Sequence, residues 1–205
     1  MRRYGLIGYP LSHSFSKTYF AEKFAKNNIS DCKYDNFPIA SILEFPALIA
    51  SQKNLKGLNV TIPHAEKCGY IEKLTQHGTV LSEVGSKDAA HIIPPYKWIE
   101  LMRAELAAGA SYVIAEAREG GNVGIYRGSG EVREGLVQEI LTQIPAEKII
   151  WEAPQKTQQL YFIELVGCNV NLGNIAPSEV IPLEAMRIGL RGDTFDLFLS
   201  KETVL

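Results

Sequence analysis

Three glutamates recur behind paired aliphatic residues, in Val80-Leu-Ser-Glu-Val84, Val113-Ile-Ala-Glu-Ala117 and Ile149-Ile-Trp-Glu-Ala153. Glu116 follows Glu83 by 33 residues, and Glu152 follows Glu116 by 36. That interval is about one βαβ unit. Side chains alternate along a strand, so Leu81, Glu83, Gly85 and Lys87 tend to one face. Ile114, Glu116 and Arg118 share a face in the same way, as do Ile150, Glu152 and Pro154. Each glutamate then lies near the C-terminal end of its strand, where α/β barrels build their sites. Three carboxylates at one level, with Lys87 and Arg118 a step above, suit a phosphorylated or carboxylated substrate held by Mg²⁺. The same residues also read as an ion network closing the mouth of a sheet, because buried charges need partners either way.

A second chemical stretch is the serine-rich loop Pro10-Leu-Ser-His-Ser-Phe-Ser16. Hydroxyls and free N–H groups between a strand and a helix can hold a carboxylate or phosphate. The plainer reading is that Ser12, Ser14 and Ser16 cap the following helix and its turn.

The elements that must position these groups alternate. The sequence predicts strands at 4–8, 33–39 and 55–62, with helices from Ser16 to about Asn27 and from Ser41 to Ala50. A helix is predicted over 65–77. Strands then carry the three glutamates, and helices follow over 96–108, 132–141 and 155–165. A seventh strand at 170–175 and a helix over 178–190 complete the reading. Strand–helix alternation argues for parallel βαβ units.

Composition sets the limits. The 205 residues suit one large α/β domain or two small ones. A net charge of −2 gives no footprint for a nucleic acid or an anionic membrane. No window approaches the ~20 apolar residues of a membrane span, and glycine and proline interrupt the start too early for an export segment. Cys32, Cys68 and Cys168 are widely spaced and odd in number, so reduced thiols in the cytoplasm are expected.

Two resemblances enter on specific motifs. Gly5-Leu-Ile-Gly-Tyr-Pro-Leu-Ser-His-Ser-Phe-Ser16 and Gly57-Leu-Asn-Val-Thr-Ile-Pro-His64 resemble signatures of the shikimate dehydrogenase substrate-binding domain. The resemblance implies carboxylate binding by Ser14 and Ser16, with Asn59 and Thr61 beside them. Ala65 stands where that family carries its catalytic lysine. The glycine-rich NADP fingerprint is absent, since Gly120-Gly121 lacks its spacing, so no NADP domain is expected. From about residue 65, the glutamate-bearing stretches, with Asn169-Val-Asn-Leu-Gly-Asn-Ile175 and Gly189-Leu-Arg-Gly-Asp-Thr194, resemble phosphosulfolactate synthase, a (β/α)8-barrel lyase. That resemblance implies Mg²⁺-assisted addition of sulfite to phosphoenolpyruvate. Lys87 would be its acid/base, amid Glu83, Glu116, Arg118 and Glu152, with phosphate near Lys156, Asn174 and Arg191.

The resulting expectation is a single fused α/β domain, residues 1–64 joined to 65–205. Its seven mostly parallel strands would form an open, curved, doubly wound sheet in the order 2-1-3-4-5-6-7. The alternative is a closed or rearranged barrel. An open edge invites a homodimer, and small anions are the expected ligands, with no cofactor required. Half of a barrel site joined to unrelated strands predicts an artificial or chimeric fusion without evolved catalytic activity. The alternatives are a Mg²⁺-dependent lyase of the phosphosulfolactate synthase type and residual binding of small carboxylate or phosphate anions.

Overall fold

Apolar runs bounded by glycine and proline become strands throughout the computed structural model, which describes residues 1–12, 14–61 and 66–198. The chain divides into two compact units, Met1–Lys73 and Leu74–Leu205. The boundary read from sequence, after His64, lies outside the described residues, as does Ala65.

In the first unit, β1 (Arg2–Gly8) pairs in parallel with β2 (Cys32–Pro38) on one side and β3 (Leu55–Val60) on the other. A central strand flanked on both sides reads as a continuous buried run, and Gly5 to Gly8 are all buried. α1 (Ser16–Lys26) joins β1 to β2, and α2 (Phe45–Ser51) joins β2 to β3. The order reverses at β1, so right-handed crossovers put these helices on opposite faces. Pro46 sits in the first turn of α2, where its missing N–H costs nothing. A capping box precedes it: Leu43 N–H donates to Ser41 Oγ at 3.2 Å, and Ser41 N–H donates to Glu44 Oε1 at 3.0 Å. α3 (Lys67–Leu74) buries Ile71.

In the second unit, β4 (Leu81–Val84), β5 (Tyr112–Ala115), β6 (Ile149–Glu152) and β7 (Leu172–Gly173) are parallel and adjacent in chain order. α4 (Pro95–Ala107), α5 (Glu134–Leu141) and α6 (Lys156–Val166) make the crossovers, and α7 (Val180–Arg187) follows β7. Because each crossover steps the same way, the helices cover one face of the sheet. Val84, Val113, Ala115, Ile149 and Trp151 fill that face against Trp98, Met102, Val137, Ile140 and Phe162. Trp151 stacks on Phe162 with ring centroids 4.8 Å apart. The opposite face holds Leu81, Glu83, Ile114, Ile150 and Glu152, all exposed or half-buried.

The fold is therefore α/β with parallel, open sheets, and no closed barrel forms among the described residues. Within each sheet the strand order is the expected one, 2-1-3 and 4-5-6-7. The described residues carry these as two sheets rather than one run of seven strands. β7 is shorter than its sequence pattern suggests, two residues where 170–175 was expected. The backbone turns left-handed at Asn174, which ends the pairing. No helix of the described residues is long and apolar enough to cross a membrane.

Candidate active site

The second sheet builds a charged cluster at the C-terminal ends of β4, β5 and β6. Strand pairing fixes the heights. Glu83 is level with Ile114, and Ile114 with Ile150. Ala115 is level with Trp151, so Glu116 and Glu152, the next residues along, leave their strands at the same height. Glu116 N–H donates to Val84 O at 2.9 Å, one residue past Glu83. The three carboxylates share a face but not a level: Glu83 sits two residues, about 6–7 Å, below the other two. The repeat aligned them in sequence, but the stagger between neighbouring strands displaces Glu83.

Lys87 joins this cluster. Its Nζ lies 3.0 Å from Oε1 of Glu116, with the lysine more than half exposed and the glutamate nearly buried. Burial works to lower the lysine's pKa. The hydrogen bond and charge of Glu116, then the charges of Glu83 and Glu152, outweigh it and raise the pKa above the ordinary lysine value. Lys87 is held as an ammonium. Arg118 Nε donates to the Lys87 carbonyl at 2.7 Å, tying the two loops together at their backbones.

Glu152 stands differently. Its Oε2 accepts the Ala117 N–H at 2.6 Å. Burial raises its pKa, that hydrogen bond opposes the rise, and the nearby Glu83 and Glu116 reinforce it. Tyr126 OH donates to the Glu152 carbonyl at 2.6 Å. Burial, with Glu152 nearby, pushes the Tyr126 phenol far above its usual pKa, so it serves as a permanent donor.

Two glycines let the cluster close. Gly85 has φ +145°, and a Cβ there would lie 2.8 Å from Glu116 Cβ and 2.9 Å from the Trp98 ring. Gly124 has φ +65°, and a Cβ there would overlap the Glu116 carbonyl oxygen. Sequence reading missed the loop from 118 to 133 that carries Gly124 and Tyr126. Its glycines were weighed only against a dinucleotide fingerprint. A buried amide, Gln158, clamps that loop by donating to Gly121 O at 2.8 Å and Gly130 O at 3.0 Å.

The expected phosphate residues are brought together in part. Lys156 Nζ lies 2.6 Å from Asp193 Oδ2, and Arg191 Nε lies 3.5 Å from the same oxygen. The Lys156 hydrogen bond comes first in holding the Asp193 carboxyl below the usual range. Asn174 stands just past β7 with φ 57°, and among the described residues it shares no hydrogen bond with that pair.

In the first unit, Ser16 does not cap α1. Phe15 occupies the cap position, and Ser16 N–H instead donates to Ser14 Oγ at 3.3 Å. Asn59 Nδ2 donates to Tyr34 OH at 3.0 Å, and Thr61 N–H donates to Ile7 O. No hydrogen bond joins either serine to Asn59 or Thr61 among the described residues.

Among the described residues no group of three or more His, Cys, Asp or Glu side chains forms a metal cage. A hard cation such as Mg²⁺ does not demand one, since it usually takes one or two carboxylates and completes its shell with water and substrate oxygens. Glu116 and Glu152, level and adjacent, are a donor pair of that chemistry.

Comparison with known proteins places both parts of the chain. The (2R)-phospho-3-sulfolactate synthase (ComA) family matches residues 55–193, and the shikimate dehydrogenase substrate binding domain matches residues 6–81. Phosphosulfolactate synthase of Methanothermobacter thermautotrophicus is 50% identical over 139 residues, covering 66% of this chain and 54% of that protein. The synthase of Methanocaldococcus jannaschii is 36% identical over 195 residues, 94% of this chain and 72% of that protein. Shikimate dehydrogenase (NADP(+)) of Dictyoglomus turgidum is 35% identical over 85 residues, 40% of this chain and 30% of that protein. The chain spans about half the length of the first of these synthases. Both resemblances read from the motifs stand, and the chain joins a stretch like each. The inference drawn from their junction does not stand. Identity of this depth to curated synthases over most of the chain overturns the expectation of an artificial, designed fusion without evolved activity. With its match to residues 55–193, the chain belongs to the phosphosulfolactate synthase family.

Proposed function

We propose that the chain is a Mg²⁺-assisted lyase of the phosphosulfolactate synthase type, joining sulfite to phosphoenolpyruvate. The observation that carries this reading is the Lys87 ammonium held 3.0 Å from Glu116 amid Glu83 and Glu152. Sulfite sulfur attacks the methylene carbon of phosphoenolpyruvate and forms a C–S bond. The double-bond electrons move toward C2 and its carboxylate. A proton must then reach C2, and a lysine kept protonated is the donor suited to that direction. Lys87 gives up its proton as the C2–H bond forms, and Glu116 holds the ammonium on line. Bound at Glu116 and Glu152, the metal would supply positive charge for the developing enolate. Glu152 is itself fixed by Ala117 N–H and by the Tyr126 hydroxyl on its carbonyl.

Lys156 and Arg191, gathered on Asp193, are the residues we assign to the substrate phosphate, with Asn174 at the neighbouring strand end. Ser14, Ser16, Asn59 and Thr61 are assigned a lesser role, as sites for a small carboxylate. The three cysteines are free thiols, in keeping with a cytoplasmic setting. A second copy of the chain, pairing along an edge strand of the sheet, is the assembly this reading allows. The reading places neither nucleic acid nor membrane among its partners. The test is ³¹P NMR of phosphoenolpyruvate with sulfite and Mg²⁺. A new phosphate-ester resonance in the parent chain, absent with Lys87→Ala, supports the reading. No new resonance in the parent chain removes it.

A further inference from the structure

The candidate site depends on two adjacent loops, one leaving β5 through Glu116 and one leaving β6 through Glu152. A pair of glutamines at the start of α6, Gln155 and Gln158, joins them. Their amides are used from both ends. Gln158 Oε1 accepts Gln155 N–H at 3.2 Å, and the Gln155 side chain accepts Gln158 N–H, so the two carbonyl oxygens cap α6 reciprocally. The two NH₂ groups serve the loop from 118 to 133. Gln155 Nε2 donates to Gly120 O at 2.7 Å. Gln158 Nε2 donates to Gly121 O at 2.8 Å and to Gly130 O at 3.0 Å, which uses both of its hydrogens. Gln158 is 1% exposed, so bulk water does not stand in for these bonds. A primary amide supplies an acceptor and two donors together, which neither a carboxylate nor an ammonium does.

The loop is shaped to be held there. Gly121 has φ +68°, and a Cβ on it would lie 2.6 Å from both polar atoms of Gln158. Gly120-Gly121 lacks the spacing of a dinucleotide fingerprint, and its carbonyls serve the two glutamines instead. Two residues on, Val123 has φ 62°, a left-handed backbone that β-branched residues avoid. Such strain persists where the surroundings over-determine the conformation, and it concentrates at functional sites. Hydrogen bonds carry the restraint from the glutamines to the charged cluster. Gly121 N–H donates to Arg118 O at 2.8 Å, and Arg118 N–H donates to Asn122 O at 3.1 Å, so holding the glycines holds Arg118. Arg118 bonds the Lys87 carbonyl, and the preceding Ala117 N–H bonds Glu152 Oε2. Farther along the loop, Tyr126 bonds the Glu152 carbonyl. Gln159, next on α6, donates to Ala153 O at 3.1 Å and fixes the residue after Glu152.

We propose that Gln155 and Gln158 are positioning residues, which hold the 118–133 loop on α6 so that Glu116 and Glu152 keep the spacing that a shared cation and Lys87 require. They touch no reacting atom and act through Ala117, Arg118 and Tyr126. The reaction they serve rests on the lyase reading, whereas the clamp itself stands on the hydrogen bonds above.

The decisive variant is Gln155→Glu. It keeps an oxygen to cap α6, adds negative charge where a helix N-terminus favours it, and loses the donor to Gly120 O. A merely structural role predicts no loss of function in a helix so capped. The proposal predicts a urea midpoint no lower than the parent's and a kcat at least about tenfold lower, with KM little changed. The ¹H–¹⁵N signal of Ala117, measured on the full chain without metal, should move upfield as its bond to Glu152 lengthens. Gln155→Met, which adds no charge, should move the same signal, and Gln158→Met, which loses two bonds to the loop, should move it further. Gln155 is exposed, so a folding failure of Gln158→Met leaves the test standing. A parent chain without lyase activity would remove the lyase reading, and the Ala117 signal would still decide the clamp. An Ala117 signal unmoved in both Gln155 variants, or a kcat that falls only as the urea midpoint falls, would overturn the proposal.

Discussion

The Lys87 ammonium and the Glu116 carboxylate meet at 3.0 Å, although they follow different strands, β4 and β5, and differ sharply in exposure. The pair sits on the face of the sheet away from the helices. It orients more than it stabilises, because one member is well exposed and exposed ion pairs contribute only about 0.2–1 kcal/mol. Lys87→Met should therefore cost less than about 1 kcal/mol in urea unfolding while lowering the lyase rate by at least ~10²-fold. A large stability loss in that variant would show that the pair is mainly structural.

The pair also sets a pH window. The lysine's folded pKa is raised above its unfolded value. Its contribution is complete below the unfolded pKa, about 10.4, and is lost as pH rises through the higher folded value. Proton donation should persist through neutral pH and fall only on the alkaline side. In Glu116→Gln the alkaline limb should move to lower pH, as read from the pH profile of kcat.

Glu152 runs in the opposite sense for a carboxylate. Its folded pKa is raised, chiefly by burial. Its contribution to stability is greatest below the unfolded pKa and declines as pH rises through the folded value. Glu152→Gln keeps an oxygen for Ala117 N–H and removes that penalty. The variant should unfold no more easily than the parent at pH 8, yet lose activity. Comparing urea midpoints at pH 5 and pH 8 checks this, since the parent should gain less than the variant on going to pH 8.

Gly124→Ala tests the packing over Glu116. The added Cβ would overlap the Glu116 carbonyl, and the left-handed backbone disfavours any side chain. A loss of about 1–3 kcal/mol is expected, with activity falling as Glu116 shifts. By contrast, Gly128→Ala, with no atom within 4 Å of its Cβ, should be near neutral. Equal effects at the two positions would show that the loop is not held as described.

Trp151→Ala removes a wholly buried ring stacked on Phe162. It should cost about 3–5 kcal/mol in chemical denaturation. A cost under about 1 kcal/mol would place the core elsewhere.

The alternation of short apolar runs with helical periods made the α/β class legible, because burial dictates both patterns. The strand order within each sheet followed from the two family resemblances, and right-handed crossovers then set which face each helix covers. The aliphatic pair before each glutamate located β4, β5 and β6, and side-chain alternation put Glu83, Glu116 and Glu152 on one face. Register was not legible, because stagger depends on how neighbouring strands slide, so Glu83 fell below its counterparts. Ser16 was read as a cap because hydroxyls usually cap, but the backbone entered α1 one residue earlier. The loop holding Tyr126 and Gly124 was missed because its role lies in contacts to Gln158 and Glu152, distant in sequence. The composite character of the chain was visible in its motifs, but the activity inferred from the junction was not, since nearly continuous similarity to a synthase is seen only by comparison.

The most direct measurement of the central claim is the initial rate of phosphoenolpyruvate-dependent sulfite consumption with Mg²⁺, in the parent chain and in Lys87→Ala. The account predicts consumption that saturates in both substrates and falls by at least ~10²-fold in the variant. A parent chain that consumes no sulfite, or a variant as fast as the parent, would contradict it.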